Sequence, residues 1–199
     1  MLTEPAGEFA QKLVDAGVRL LQYRNKMAPA RELWNESRVI AGVMSRAEGT
    51  FLVNDRPDVA YLAGADGVHV GQEDLDVEQA RAVVGPERWV GVSTHNLEQF
   101  EQAAKSSADY IAVGPIFPTS SKANPDPVVG TELLRRVRSF TTKPIVAIGG
   151  ITLERAPEVL AAGADSVAVI SDILKARNPA EKAREYLQRL DAVKPAASH

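Results

Sequence analysis

The chain has 199 residues, 45% of them hydrophobic, enough for one domain with a full core. A net charge of −3 leaves no basic footprint for nucleic acid, and the lack of cysteine excludes disulfides, thiolate metal sites and cysteine nucleophiles. Apolar runs stay under about ten residues, short of a membrane span, and no signal peptide is visible, so a cytoplasmic protein without nucleic-acid or membrane partners is expected; a homo-oligomer is compatible with the sequence and not specified by it.

In chain order the pattern predicts a helix over Gly7–Ala16, a strand over Val18–Gln22 and an amphipathic helix over Pro29–Arg46. A strand at Phe51–Asn54, a short helix at Pro57–Ala63 opened by its proline, and a strand at Gly67–Val70 follow. The helix Val77–Val84 stops at Gly85-Pro86, before the strand Trp89–Val92. Asn96 caps the next helix, Leu97–Ser106, and the strand Tyr110–Val113 comes after it. The helix Thr131–Ser139, the strand Ile145–Ile148, the helix Leu153–Ala162 capped by Thr152, the strand Ser166–Ile170 and the helix Pro179–Leu190 complete the series. One phrase marks several strand starts: a small residue, often with Gly or Asp, and then an apolar run. It occurs at Ala16-Gly17, Ala63-Gly64-Ala65-Asp66, Ala108-Asp109 and Ala162-Gly163-Ala164-Asp165. Glycine just past a helix supplies a left-handed C-cap, and the β-branched run after it reads as a buried parallel strand.

Strict alternation of strand and helix argues for a parallel α/β fold. Eight helices in a chain that opens on a helix point to a TIM (β/α)8 barrel whose first strand is missing or truncated; a flavodoxin-like sheet, with fewer strands, is the alternative. Residues 1–199 read as a single barrel domain, with 192–199 as a frayed tail.

Polar residues just after the strands of such a fold converge on one rim. After the first strand, Gln22, Arg24 and Lys26 share a face, and two cations with an amide suit a phosphate; a solvated loop is the plain alternative. Asn54 and Asp55 follow the second strand, where Asp55 could instead cap the helix begun by Pro57. Asp74 follows the third. Two acids on adjacent strands repel unless a cation lies between them, and hard oxygen ligands beside a phosphate suit Mg2+. His69, inside the third strand, reads as a packing residue against a helix. Ser93 and His95 follow the fourth strand; Ser93 can donate to a phosphate oxygen, and His95 is a candidate acid or base. The long segment Gly114–Val129 holds Thr119, Ser120, Ser121 and Lys122 and reads as an anion-binding lid. Gly149-Gly150 after the sixth strand, and Ile170-Ser171 after the seventh, suit a phosphate bound by backbone N–H groups.

These pieces together resemble the thiamine phosphate synthase family, from about Gly17 to Leu190. The motifs that carry the resemblance are Gln22-Tyr23-Arg24-Asn25-Lys26, Val53-Asn54-Asp55-Arg56, Gly67 through Leu75, Gly91-Val92-Ser93-Thr94-His95, Gly114 through Thr119 with Lys122, and Ala147-Ile148-Gly149-Gly150-Ile151. The resemblance implies a transferase that joins hydroxymethylpyrimidine pyrophosphate to a thiazole phosphate, with release of pyrophosphate, Mg2+ dependence and a dissociative mechanism. It implies that Gln22, Arg24, Lys26, Asn54, Ser93 and Lys122 hold the pyrimidine pyrophosphate, with Arg24, Lys26, Ser93 and Lys122 as the catalytic set. By the same resemblance Asp55 and Asp74 bind Mg2+, and Thr119, Ser120, Ser121, Gly150, Ile170 and Ser171 hold the thiazole phosphate. The departure is at the start, where Leu2-Thr3-Glu4 is at best a remnant of the family's opening strand. A thiazole tautomerase using His95, and a non-catalytic phosphate-binding barrel, are the competing expectations.

Overall fold

The computed structural model describes residues 4–119 and 126–192. Its helices are α1 (Ala6–Asp15), α2 (Ala30–Arg46), α3 (Pro57–Ala63), α4 (Val77–Val84), α5 (Leu97–Lys105), α6 (Gly130–Val137), α7 (Ala156–Ala161), α8 (Ser171–Leu174) and α9 (Pro179–Asp191). The strands are β1 (Leu20–Tyr23), β2 (Thr50–Asn54), β3 (Gly67–Val70), β4 (Trp89–Thr94), β5 (Tyr110–Val113), β6 (Ile145–Ile148) and β7 (Ser166–Ala168). They form one parallel sheet in sequential order, β1 to β7, curled as in a TIM-like barrel. Among the described residues no strand precedes α1, and the β1 and β7 edges pair with no further strand.

The two faces of the sheet differ in chemistry. Phe51, Val53, Val68, Val70, Val90, Ile111, Val113, Ile145 and Ala147 point outward and are buried beneath the helices. Ile40 and Met44 of α2, Ala60 of α3, Ala80 and Val84 of α4, Phe100 of α5, Leu134 and Val137 of α6, and Ala156 and Val159 of α7 meet them. Burial of each large side chain contributes about 1.5–3 kcal/mol, so this outer layer is the core that holds the fold. The inner face carries a row of polar and small residues beside Leu52 instead. Asn54, His69, Gly91 and Tyr110 lie side by side across β2–β5, with Gln22 on β1 and Ser93 on β4 on the same side of the sheet. Gly91 is required here, because a Cβ would overlap the Tyr110 ring.

The repeated phrase acquires a second role. Gly64 caps α3 at φ 70°, and Gly17 and Gly163 follow α1 and α7 at φ 103° and 110°, as expected of glycines past helix ends. The aspartates form a matching set at the strand starts. Asp66 Oδ2 accepts from Phe51 N at 2.7 Å, Asp109 Oδ2 from Val90 N at 2.6 Å, and Asp165 Oδ2 from Ile145 N at 2.7 Å. In each case the aspartate's own N–H donates back to the carbonyl of that same residue, at 2.8–2.9 Å. Each carboxylate thus fastens the start of one strand to the strand before it.

Three local expectations are corrected. Thr152 does not cap α7: that helix begins at Ala156 with Arg155 at its N-cap. The Thr152 carbonyl instead closes a turn by accepting from Arg155 and Ala156 N–H at 3.0 Å. The last strand stops at Ala168, and a four-residue helix, α8, occupies Ser171–Leu174, too short to show a helical period in sequence. Asn96 does cap α5, accepting from Gln99 N. The tail reading for Val193–His199 lies outside the described residues.

Candidate active site

Every candidate residue in the described part lies at or just beyond the C-terminal end of a strand. Beyond β1 the alternation of faces holds. Tyr23 and Asn25 turn outward, with Asn25 Nδ2 donating to the Tyr23 hydroxyl at 3.3 Å and that hydroxyl bonding Glu36 of α2. Burial, with the Glu36 carboxylate, pushes the Tyr23 phenol up to about 12. Gln22 and Lys26 turn inward: Gln22 lies on the sheet face that carries Tyr110, and Lys26 Nζ lies 2.9 Å from Asp55 Oδ2. Arg24 is exposed at the same mouth.

Asp55 is not a helix cap. The N-cap position of α3 is Arg56, which makes no side-chain capping bond. Asp55 instead takes a left-handed backbone at φ 65°, unusual outside glycine and more tolerated by Asp than by most residues. This brings its carboxylate to that of Asp74, whose Oδ2 is fixed by Gly71 N at 2.7 Å. Burial, and then Asp55 itself, raise the Asp74 carboxyl above the ordinary carboxylate range, against the pull of the Gly71 N–H and Lys26. Two acids in contact, both of hard oxygen donors, fit Mg2+, which is held by one or two carboxylates and completes its shell with water and substrate phosphate. Among the described residues no cluster of three or more metal-ligating side chains occurs.

His69 overturns its packing expectation. It faces the barrel interior, not a helix. Nδ1 lies 2.7 Å from the Tyr110 hydroxyl and Nε2 lies 2.8 Å from Ser93 Oγ. The His69 and Tyr110 rings stack across Gly91, with centroids 5.5 Å apart. Burial pushes the imidazole down to about 4, so it is neutral at pH 7, and burial also raises the Tyr110 phenol. Gln72 Nε2 donates to the Ser93 carbonyl at 2.7 Å, fixing the backbone of that serine.

On the far side of the mouth, His95 is tied to the long segment after β5: Nδ1 meets the Gly114 carbonyl at 2.5 Å, and Nε2 lies 3.4 Å from Asp126. The first part of that segment is anchored to β6. Ile116 N donates to Ile148 O at 2.9 Å, Phe117 N to Gly149 O at 3.1 Å, and Ile116 is buried. Thr119 is at the described edge of the loop; Ser120, Ser121 and Lys122 lie outside the described residues. Gly149 and Gly150 both have positive φ, and a Cβ on either would collide with Pro115, Phe117 or Pro118, so the glycine pair admits the β5 loop. Arg155 stacks on the Phe117 ring at 4.5 Å. Ile170 and Ser171 open α8, whose Asp172 accepts from the Tyr186 hydroxyl at 2.7 Å and from Leu153 N at 3.3 Å. Asp172 thereby links the loop after β6 to the loop after β7.

The rim therefore brings Gln22, Lys26, Asn54, Asp55, Asp74 and Ser93 to one side and Gly150, Ile170 and Ser171 to the other, with Thr119 between. His69 and Tyr110 are the residues that sequence reasoning missed. Their signal was strand parity: Val68 and Val70 claim the outer face, which leaves His69 for the inner one.

A family model described as thiamine monophosphate synthase matches residues 3–173. The thiamine-phosphate synthase of Koribacter versatilis is 57% identical over 182 residues, covering 92% of this chain and 85% of that protein. That of Chlorobium phaeovibrioides is 42% identical, covering 94% of this chain and 90% of its own. The solved structure of thiamine phosphate pyrophosphorylase from Pyrococcus furiosus superposes with a TM-score of 0.87 at 34% identity, over 96% of this chain and 91% of that one. Among the described residues no helix is long and apolar enough to cross a membrane. The chain belongs to the thiamine monophosphate synthase family of enzymes.

Proposed function

We propose that the chain condenses hydroxymethylpyrimidine pyrophosphate with a thiazole phosphate, yielding thiamine phosphate and pyrophosphate with Mg2+ bound at Asp55 and Asp74. The observation that carries this reading is the contact of two carboxylates beside Lys26 at the barrel mouth. Such a pair is costly as it stands and is relieved by a divalent cation that a diphosphate would share.

The C–O bond between the pyrimidine methylene and the diphosphate breaks, and its electron pair leaves with the pyrophosphate. The thiazole nitrogen then donates its lone pair to the pyrimidine cation, forming the new C–N bond. No protein nucleophile takes part, which agrees with a chain that has no cysteine. Mg2+ would supply charge neutralisation to the departing diphosphate. Arg24 and Lys26 meet the same developing charge, with Lys122 from the long loop, and the Ser93 hydroxyl donates to a phosphate oxygen. Gln22 and Asn54 orient the pyrimidine end. Thr119, Ser120, Ser121, Gly150, Ile170 and Ser171 hold the thiazole phosphate. His95 is engaged with Gly114 and Asp126, which favours a structural task over the proton transfer a tautomerase needs. We place the enzyme in the cytoplasm as one barrel domain.

Purified protein given both substrates with and without Mg2+ tests this. Mg2+-dependent pyrophosphate release is expected, falling by at least about 100-fold in Asp55→Ala combined with Asp74→Ala. Product formation that survives the double variant refutes the metal assignment. Thiazole isomerisation without condensation refutes the synthase reading.

A further inference from the structure

The inner face of the sheet carries a chain of side-chain hydrogen bonds that runs from Tyr110 on β5, through His69 on β3, to Ser93 on β4, with Gln22 of β1 on the same face. Its two inner members, His69 and Tyr110, are buried, whereas Gln22 and Ser93 reach the mouth. A neutral imidazole has one N–H and one lone pair, so the direction of every bond in the chain is linked. If Nε2 carries the proton, it donates to Ser93 Oγ. Nδ1 must then accept from the Tyr110 hydroxyl. In the opposite arrangement the Ser93 hydroxyl is spent on Nε2 and cannot donate outward. A phosphate oxygen only accepts, so the first arrangement alone leaves Ser93 useful to a diphosphate.

We propose that His69 and Tyr110 are positioning residues that set the Ser93 hydroxyl as an outward hydrogen-bond donor to the substrate diphosphate. The inference rests on the functional reading above, because it takes a diphosphate as the group that Ser93 meets. Neither His69 nor Tyr110 touches the reacting atoms in this role. Stacking of the two rings across Gly91 holds Nδ1 and the phenol oxygen in line, so the relay is built before any ligand arrives.

A double-variant cycle on the whole chain tests it, read both as kcat/KM and as affinity for inorganic pyrophosphate with Mg2+ by calorimetry. Ser93→Ala and His69→Leu should each lose about 10- to 100-fold, and the two together should lose no more than the worse of them. His69→Gln, which keeps an N–H donor near the Nε2 position, should recover most of the loss. Tyr110→Phe keeps the ring and its packing, and should lose several-fold in a Ser93 background and almost nothing in Ser93→Ala. Tyr110→Phe also carries the cycle if His69→Leu fails to fold. Losses that multiply across the cycle, or a folded His69→Leu with parental affinity and rate, overturn the relay. A parental protein that binds pyrophosphate and makes no product overturns the functional reading, while the affinity cycle still judges the relay.

Discussion

Asp74 presses its carboxylate against that of Asp55, and at that residue function is set against stability. A carboxyl raised in the folded state favours folding at low pH, and the contribution is lost as pH rises through the raised value. At neutral pH and without metal, an ionised Asp74 therefore costs the fold something. Asp74→Asn keeps an oxygen for the Gly71 N–H and removes the charge. Its metal-free Tm should rise by a few degrees, while the stabilisation that Mg2+ with pyrophosphate gives the parent should vanish, both read by thermal denaturation. A lower metal-free Tm in Asp74→Asn would contradict this account of the pair. The two acids were legible in the sequence because Asp55 directly follows one strand and Asp74 lies in the loop after the next. That they touch depends on the left-handed backbone of Asp55, which no local pattern announces. His69 was misread for another reason. The face alternation applied to Gln22, Arg24 and Lys26 was not carried to β3, where Val68 and Val70 leave His69 only the interior.

Among the elements, the strand starts have a device of their own. Asp109 accepts from Val90 N and pairs with Arg81 at 2.5 Å, while Asp165 accepts from Ile145 N and pairs with Arg138 at 2.6 Å. These bonds lie at the N-terminal ends of the strands, the end opposite the rim. Asp109→Ala should therefore lower stability by about 1–3 kcal/mol in urea unfolding, with both substrate KM values unchanged. A shift in either KM would mean that the two ends of the barrel are coupled. The repeated phrase showed where helices stop and strands begin, since glycine and β-branched residues act locally. The aspartate's role was not legible, because its partner belongs to the preceding strand and only the folded register brings the two together. The four residues of α8 were missed because a single turn has no period to detect.

At the scale of the whole molecule, the sheet inverts the usual arrangement of a core. Its outer face is sealed by helices, and its inner face is polar along β2–β5. The parallel α/β order was readable because apolar strands alternate with amphipathic helices throughout. The inner layer was not, since its members are single polar residues set among valines and become a group only when several strands stand in register. The carboxylate fasteners have a consequence for motion. They join β2 to β3, β4 to β5 and β6 to β7, whereas at the β3–β4 and β5–β6 seams a cation makes the link, Arg88 Nε donating to Ala65 O at 3.1 Å and Lys143 Nζ to Ser106 O at 2.5 Å, and at the β1–β2 seam the link is the backbone bond of Thr50 N to Arg19 O at 2.7 Å. The strand starts are thus stitched by carboxylates and cations in turn, with β1 held to β2 by backbone bonds. Native-state hydrogen exchange should show β1, whose start carries no such side-chain stitch among the described residues, exchanging first. Asp109→Ala should then speed exchange in β4 and β5 together while leaving the other two pairs protected.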